Sequence, residues 1–466
     1  MSLLLERLRA QVTARPDATA LEAAGRAWRY RDLDAAIARE AEALASRGLR
    51  RGDAFGWLGL NSAAMLIALF ACARLGLRFV PLNWRLAAPE LGAIVRHAGL
   101  AAWHADEGFH ALDGLAPTPA SGDPAQDDLL LVYTSGTTGT PKGALHTQAA
   151  MAANLDAAID AQVLDAATRT LAVLPLFHVG GLCIQVLPTL AAGGTVRLHA
   201  RFDPSTWFDD VQAWRPTTSL LVPATMRALL EHPRWPAADL SSLAFVNTGS
   251  SIVPRTYIEA FHARGLPVCQ VYGSTETGPV TLVLRPEEAL AHVGSVGRPA
   301  RGVEVRLAEG EVCVRAPNLA RGYHRTPDDP AFADGWFRTG DLAQVDADGY
   351  YEIVGRSKDM IISGGENIYP AEIENLALAD PAVAEAAAVG VADARWGEVP
   401  VLALVARPGR EVDTTRLQAL FDARLARYKH PRRIVVLEQL PRTALGKVRK
   451  PELAQALGRD GGPPGA

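Results

Sequence analysis

The stretch Tyr133-Thr-Ser-Gly-Thr-Thr-Gly-Thr-Pro-Lys-Gly143 constrains this chain more than any other part of it. Its eleven residues hold three glycines, four threonines, one serine and one lysine. The run 129–132 before it is short and apolar, suited to a buried strand. Residues 144–155 after it carry Leu145, Met151 and Leu155 among alanines, a pattern that suits a helix. Strand, glycine-rich loop and helix present free backbone N–H groups to an anion, because glycine tolerates the positive φ that turns successive amides inward. The hydroxyls of Thr134, Ser135, Thr137, Thr138 and Thr140 add donors around Gly136 and Gly139, and Lys142 adds a mobile positive charge. The loop reads as a cradle for a polyphosphate. A solvated Gly/Ser/Thr linker needs neither Lys142 behind Pro141 nor flanks patterned in this way. A P-loop kinase or ATPase fails on spacing, since Gly-x-x-x-x-Gly-Lys-Ser/Thr is absent and Lys142 is followed by Gly143.

At 466 residues the chain is too long for one ordinary core, and two or three domains are expected. Its 47 Lys plus Arg against 51 Asp plus Glu leave a formal net charge of −4, which suggests neither a nucleic-acid partner nor an anionic membrane surface. Cys72, Cys183, Cys269 and Cys313 are far apart and form no CxxC pair, so a reducing cytosol fits better than a zinc site or a disulfide framework. Residues 1–9 meet Glu6 and Arg7 too early for a signal peptide. The apolar run 65–77 is interrupted by Arg74 and is too short to span a bilayer. The expectation is a cytoplasmic protein without stable membrane insertion, with a homodimer left open.

Along the chain, helical and strand-like patterns alternate in residues 1–128, which indicates an α/β layer fold. A helix is expected from about Leu33 to Arg47 with Gly48 as its stop, a strand over 53–58, a helix over 63–75 and a strand over 79–82. Residues 171–182 read as a strand, a turn carrying Phe177, His178 and Val179, and then a helix. Further short strands are expected over 219–223, 244–248 and 267–272, the last running into Gly273-Ser-Thr-Glu-Thr-Gly278. A polyphosphate is commonly held with Mg²⁺, which takes hard oxygen ligands, and Glu276 in this glycine-flanked turn is a fitting one. Residues 335–341 read as a short strand ending in a turn, and 350–356 as a strand. A small α+β pattern occupies 375–457, with strands over 383–391, 401–405 and 433–437 and a helix over 414–425. The Gly/Pro-rich tail 458–466 is expected to be disordered.

The loop resembles the phosphate-binding signature of the adenylate-forming superfamily, which includes acyl- and aryl-CoA ligases, non-ribosomal peptide adenylation domains and beetle luciferases. The resemblance extends over about residues 20 to 455, with the other main motifs in family order: Pro-Leu-Phe-His178, Gly-Ser-Ser251, Tyr272-Gly-Ser-Thr-Glu276, Gly335-Trp-Phe-Arg-Thr-Gly-Asp341, Gly-Arg356-Ser-Lys358, Gly364-Gly-Glu-Asn-Ile-Tyr-Pro370 and Leu-Gly-Lys447. It implies a large N-terminal α/β domain of layered mixed sheets and helices, residues 1–357, and a small mobile α+β C-terminal domain, residues 358–457, hinged at Lys358. It implies adenine contacts from Gly249, Ser250, Ser251 and Tyr272, ribose binding by Asp341, a ribose or phosphate contact from Arg356, and Thr275 directed at the α-phosphate. Phe177, His178 and Val179, with Gly273 and Ser274, are implied for the acyl pocket, and Glu276 for the metal. Gly364 and Gly365 are implied to let a pantetheine arm pass, and Trp396, Tyr428, His430 and Arg432 to meet the CoA nucleotide. Lys447 is implied as the catalytic lysine.

The implied reaction has two halves. A carboxylate attacks the α-phosphorus of ATP to give an acyl-adenylate and pyrophosphate. The C-terminal domain then rotates, a CoA thiolate attacks the adenylate, and AMP leaves. Val271 stands where malonate-activating relatives carry an arginine, so a monocarboxylate is expected, fatty slightly ahead of aromatic. A stand-alone enzyme loading a carrier protein is the alternative within this chemistry. An inactive nucleotide-binding regulatory module is the alternative outside it, against which Lys447, Glu276 and Asp341 speak.

Overall fold

In a computed structural model of the chain, the helix Ala63–Leu75 begins where the Ser62 hydroxyl accepts from the Met65 amide at 3.2 Å and ends at Gly76, whose φ is 72°. Its residues are buried on nearly every side, as befits a helix that is apolar all round. It touches the strand Arg78–Leu82 in one sheet and Thr19–Ala23 in another, so it lies between two layers. The structure describes residues 3–117, 127–134, 142–250, 252–326, 328–364, 366–393, 395–442 and 447–459. They divide into two compact units. One holds Met1–Ser250, Ala260–Arg306 and Cys313–Thr339, and the other Ser251–Glu259, Leu307–Val312 and Gly340–Ala466.

Among the described residues, the first unit contains a nine-stranded sheet and a six-stranded sheet. In the larger, Phe245–Gly249 runs parallel to Thr218–Leu221 on one side and to Val268–Tyr272 on the other, so their carboxyl ends open together. In the smaller, Arg78–Leu82 lies parallel to Ala54–Leu58 and to Asp128–Thr134. The strand Ala54–Leu58 is buried throughout, the continuous apolar reading of a parallel strand covered on both faces. The helix Ala88–Ala98 covers one face through Leu91, Ile94 and Val95, packed with Leu58, Val80 and Leu82. At the other edge, Lys142–Thr147 pairs antiparallel with Asp128–Thr134, and Gly322–Tyr323 pairs antiparallel with Lys142–Thr147.

In the second unit, Asp341 to Val345 pair antiparallel with Tyr351–Arg356. A separate sheet carries Glu366–Ile368, Ile361–Ser363, Gly397–Ala406, Val383–Asp393 and Arg433–Leu437. Its faces alternate with period two. Leu402 and Leu404 pack with Ile373, Leu417 and Phe421 of two helices, while Val401 and Ala403 pack with Leu453 and Leu457 of the last helix, Lys450–Arg459. No helix among the described residues is long and apolar enough to cross a membrane.

Three local expectations are corrected. Residues 144–155 do not form one helix, because Lys142–Thr147 is a strand and the helix Gln148–Gln162 starts only where the Thr147 hydroxyl accepts from the Ala150 amide at 3.0 Å. Ala144 and Leu145 are claimed by ladder pairing with Val132 and Leu131. The strand expected to end at Asp341 runs on as Trp336–Val345, which puts Asp341 in its interior. The last helix reaches Arg459, so Gly458 and Arg459 belong to it rather than to a tail.

Candidate active site

The turn after Val268–Tyr272 is fixed by hydrogen bonds from four directions. A Cβ on Gly273 would stand 1.9 Å from the Pro279 carbonyl oxygen, so only glycine lets the chain reverse here. The Thr277 hydroxyl accepts from the Ser274 amide at 2.8 Å, and Asn318 donates from Nδ2 to the carbonyls of Thr277 and Val280 at 2.9 and 3.1 Å. The Ala320 amide donates to the Glu276 carbonyl at 2.7 Å. His146 donates from Nε2 to the Thr275 carbonyl at 2.8 Å. That ring is fully buried, and burial holds its pKa down at about 4 against the opposing pull of the Thr275 carbonyl and the Glu276 carboxylate. The imidazole is therefore neutral and serves as a fixed donor.

Thr275 and Glu276 are buried, and the Tyr323 hydroxyl donates to Glu276 Oε1 at 2.8 Å. Lys142 Nζ sits 4.6 Å from the centre of the Tyr323 ring and 2.7 Å from Asp329 Oδ2. Burial raises the Asp329 pKa, but the Lys142 ammonium and the Ala331 amide outweigh it and hold the carboxyl below its ordinary value. Thr134 ends its strand with its hydroxyl 3.4 Å from the Lys142 carbonyl. Ser135, Gly136, Thr137, Thr138, Gly139, Ser251 and Gly365 lie outside the described residues.

The described residues fit a magnesium ion. Glu276 Oε1 is committed to Tyr323, and Oε2 makes no hydrogen bond among the described residues. No group of three or more His, Cys, Asp or Glu side chains among them forms a protein-only cage. One carboxylate supplemented by phosphate oxygens and water is the coordination Mg²⁺ accepts at nucleotide sites.

In the same unit, His178 Nδ1 accepts from the Gly180 amide at 3.0 Å, capping the short turn Val179–Gly181. The chain then widens into one π-helical turn, Leu182–Val186, a feature frequent at functional sites. Buried amides satisfy its carbonyls: Asn154 donates to Cys183 and Gln162 to Ile184, each at 2.8 Å. A Cβ on Gly181 would lie 2.2 Å from the Pro175 carbonyl oxygen, while one on Gly180 would lie 3.0 Å from His178 Nδ1 and 3.5 Å from Ser250 Oγ. The turn carrying Phe177, His178 and Val179 and the end of the Phe245–Gly249 strand are thus neighbours. Phe177 is buried, with the Arg85 guanidinium 5.7 Å from its ring centre. Gly249 is held against the next strand, where a Cβ would meet the Val271 carbonyl oxygen at 2.2 Å, and Ser250 has a φ of 69°.

The second unit holds the remaining candidates. Asp341 faces Arg356 across the ladder, with Oδ1 2.7 Å from the guanidinium Nε. Lys358 is exposed in the 3₁₀ turn Ser357–Asp359. Gly364, at φ +61°, packs so closely on Trp396 that a Cβ would lie 2.6 Å from the indole, and its amide donates to the Trp396 carbonyl at 2.8 Å. Trp396 is 37% exposed, with the guanidinium groups of Arg395 and Arg432 4.9 and 5.8 Å from its ring. Tyr428 is exposed. His430 instead has both ring nitrogens engaged inside the unit, with Gln418 Nε2 at 3.3 Å and the Leu425 carbonyl at 3.0 Å. Lys447 is exposed next to Val448, which bridges to Arg442.

A family model described as AMP-binding enzyme matches residues 8–324, and one described as AMP-binding enzyme C-terminal domain matches 372–447. The chain belongs to the AMP-binding enzyme family. This family member is 43% identical to the indoleacetate–CoA ligase of Aromatoleum aromaticum, over 95% of this chain and 96% of that one. It is 40% identical to a feruloyl-CoA synthase of an Amycolatopsis species, over the same shares. Among solved structures it is similar to the o-succinylbenzoate CoA synthetase MenE of Bacillus subtilis in complex with the acyl-adenylate OSB-AMP, at a TM-score of 0.86 and 32% identity, over 96% of this chain and 97% of that one. The same synthetase in complex with ATP and a magnesium ion also gives 0.86 and 32%, with 96% and 98% covered.

Reading the residues alone missed His146, Asn318, Tyr323 and Asp329. Lys142 and Asp329 are 187 residues apart, and nothing local to either announces the pair. His146 carried a weak signal, a histidine that ends the small and apolar run Gly143-Ala-Leu, on a strand buried from Gly143 to His146.

Proposed function

We propose that this enzyme activates an aromatic monocarboxylic acid and that the residues assembled around Glu276 carry out its adenylation. The chain is an AMP-forming acid–thiol ligase: it uses ATP, Mg²⁺ and CoA to turn a carboxylic acid into an acyl-adenylate and then a thioester. The aromatic reading is supported by the two relatives at 43% and 40% identity, both named for aryl-bearing acids. It departs from the slight preference for fatty acids drawn from the motifs alone.

The observation that carries the assignment of the adenylation residues is the buried Glu276 carboxylate, held by one oxygen on Tyr323, whose ring also carries Lys142, and in the same turn as Thr275. Glu276 would hold a bound Mg²⁺, which would supply neutralisation of charge on the phosphates. Lys142 and the glycine-rich loop hold the β- and γ-phosphates. Asp341 accepts hydrogen bonds from the ribose hydroxyls, with Arg356 fixing its orientation. Tyr272, Gly249 and Ser250 meet the adenine, and Phe177, His178 and Val179 border the acyl group. Lys447 offsets the negative charges of carboxylate and α-phosphate as they approach, so positioning and charge neutralisation suffice without a covalent enzyme intermediate. Residues 358–457 form a lid hinged at Lys358. Trp396 and Arg432 offer an exposed stacking face and a cation to the CoA nucleotide, Tyr428 offers a second exposed ring, and His430 supports its turn from inside. A reducing, cytosolic setting is part of the proposal, supported by four buried free thiols.

Acid-dependent pyrophosphate release tests this reading, run with and without CoA across fatty acids, benzoates, cinnamates and arylacetates. CoA-dependent turnover of aryl acids is expected. Preference for alkyl chains would overturn the substrate class, and turnover only with an acyl carrier protein would overturn the acceptor.

A further inference from the structure

Tyr323 belongs to no motif read in the sequence, yet it touches both Glu276 and Lys142. The two-residue strand Gly322–Tyr323 is pinned to the strand that leaves the phosphate loop. Tyr323 pairs with Ala144, the Arg321 amide donates to the Leu145 carbonyl at 2.8 Å, and the His324 amide donates to the Gly143 carbonyl at 2.7 Å. Phe332 backs the ring edge-on, with centroids 5.5 Å apart. From this fixed base the hydroxyl reaches Glu276 Oε1 at 2.8 Å, while the ring lies 4.6 Å under Lys142 Nζ.

Each contact removes a different freedom. A carboxylate with one oxygen held by a charge-assisted hydrogen bond presents the other over a narrower range of orientations. A lysine has four flexible carbons, and ordering it costs about 2 kcal/mol of rotamer entropy when nothing holds it beforehand. Attraction to an aromatic face persists over distances out to about 6 Å from the ring, so such a seat orients the ammonium while letting it travel. Asp329 supplies the counter-charge at 2.7 Å.

We infer that Tyr323 is a positioning residue shared by the metal ligand and the phosphate-loop lysine: its hydroxyl aims Glu276, and its ring seats Lys142 between Asp329 and the phosphates. This rests on the roles proposed above for Glu276 and Lys142. The two contacts are separable, because Tyr323→Phe removes only the hydroxyl and Tyr323→Leu removes hydroxyl and ring together.

The test is equilibrium ATP binding by calorimetry without any acid, in Mg²⁺ and in EDTA, with Mn²⁺ affinity of the ATP complex read by electron paramagnetic resonance. Tyr323→Phe is expected to bind ATP in EDTA within twofold of the wild type but to hold Mn²⁺ about tenfold more weakly. Tyr323→Leu is expected to add a threefold to fivefold loss of ATP affinity in EDTA. A Phe variant that holds Mn²⁺ as the wild type does would overturn the inference, as would one losing ATP affinity equally with and without metal. A wild type whose ATP binding ignores the metal would overturn the role of Glu276 itself and the inference with it.

Discussion

His146 makes the first unit's stability depend on pH in a predictable direction. Burial lowers its pKa from 6.5 to about 4, and in the unfolded chain it returns to the ordinary histidine value. Between those two values the unfolded state holds a proton that the folded state refuses, so folding stability rises with pH. The contribution is fully present above pH 6.5 and is lost as pH falls toward 4. A shift of that size corresponds to about 3 kcal/mol, roughly half of it lost by pH 5.3. Burial, with Arg78 and His97 nearby, also lowers the His324 pKa to about 4, so the wild-type slope contains a second proton. His146→Leu keeps the site filled, removes one titrating group and leaves the Thr275 carbonyl without its donor. At pH 7.5 the variant should be less stable by about 1–3 kcal/mol. From pH 7.5 to 5 it should lose about 2 kcal/mol less than the wild type does. Urea denaturation followed by tryptophan fluorescence reads this directly, because Trp396 is the only one of the nine tryptophans outside the first unit. Equal pH slopes for variant and wild type would refute the assignment of a buried neutral imidazole.

Three further outcomes follow from the site. Lys447→Ala should abolish acyl-adenylate formation while sparing thioester formation from supplied acyl-AMP; single-turnover assays of each half would show equal losses if the division of labour were wrong. Gly273→Ala would push a methyl to 1.9 Å from the Pro279 carbonyl oxygen, so the turn must shift. A destabilisation of about 2–4 kcal/mol in urea and a weakened ATP complex are expected, and an unchanged denaturation midpoint would contradict the close approach. Asp341→Asn removes the charge paired with Arg356 and one acceptor of the proposed ribose contact. It should raise the KM for ATP about tenfold and leave that for the acid unchanged, and a selective change in the acid KM would argue against ribose binding.

What the sequence made legible was local. Gly48 follows its helix at positive φ where the pattern places a stop, and the boundaries of Ala63–Leu75 and Arg433–Leu437 are those the pattern gives. Thr147 shows the limit of periodicity. Ala144 to Leu155 suits a helix by composition, but antiparallel pairing with Asp128–Thr134 holds the first part extended until the threonine cap begins the helix. The Tyr323–Glu276 and Lys142–Asp329 contacts depend on strand pairing over long separations, which neither propensity nor spacing encodes. The acid's identity was illegible for a related reason, since the Phe177–Val179 turn and the end of the Phe245–Gly249 strand are remote in the chain and become neighbours only in the fold.

The route of the acid's oxygen tests the central claim most directly. If the carboxylate attacks the α-phosphorus and the thiol then attacks the acyl carbon, the bridging oxygen leaves with AMP. A turnover reaction with ¹⁸O-labelled aryl acid, ATP and CoA, analysed by mass spectrometry, should therefore give AMP carrying one labelled oxygen and unlabelled pyrophosphate. Unlabelled AMP, or label in inorganic phosphate, would contradict the acyl-adenylate route.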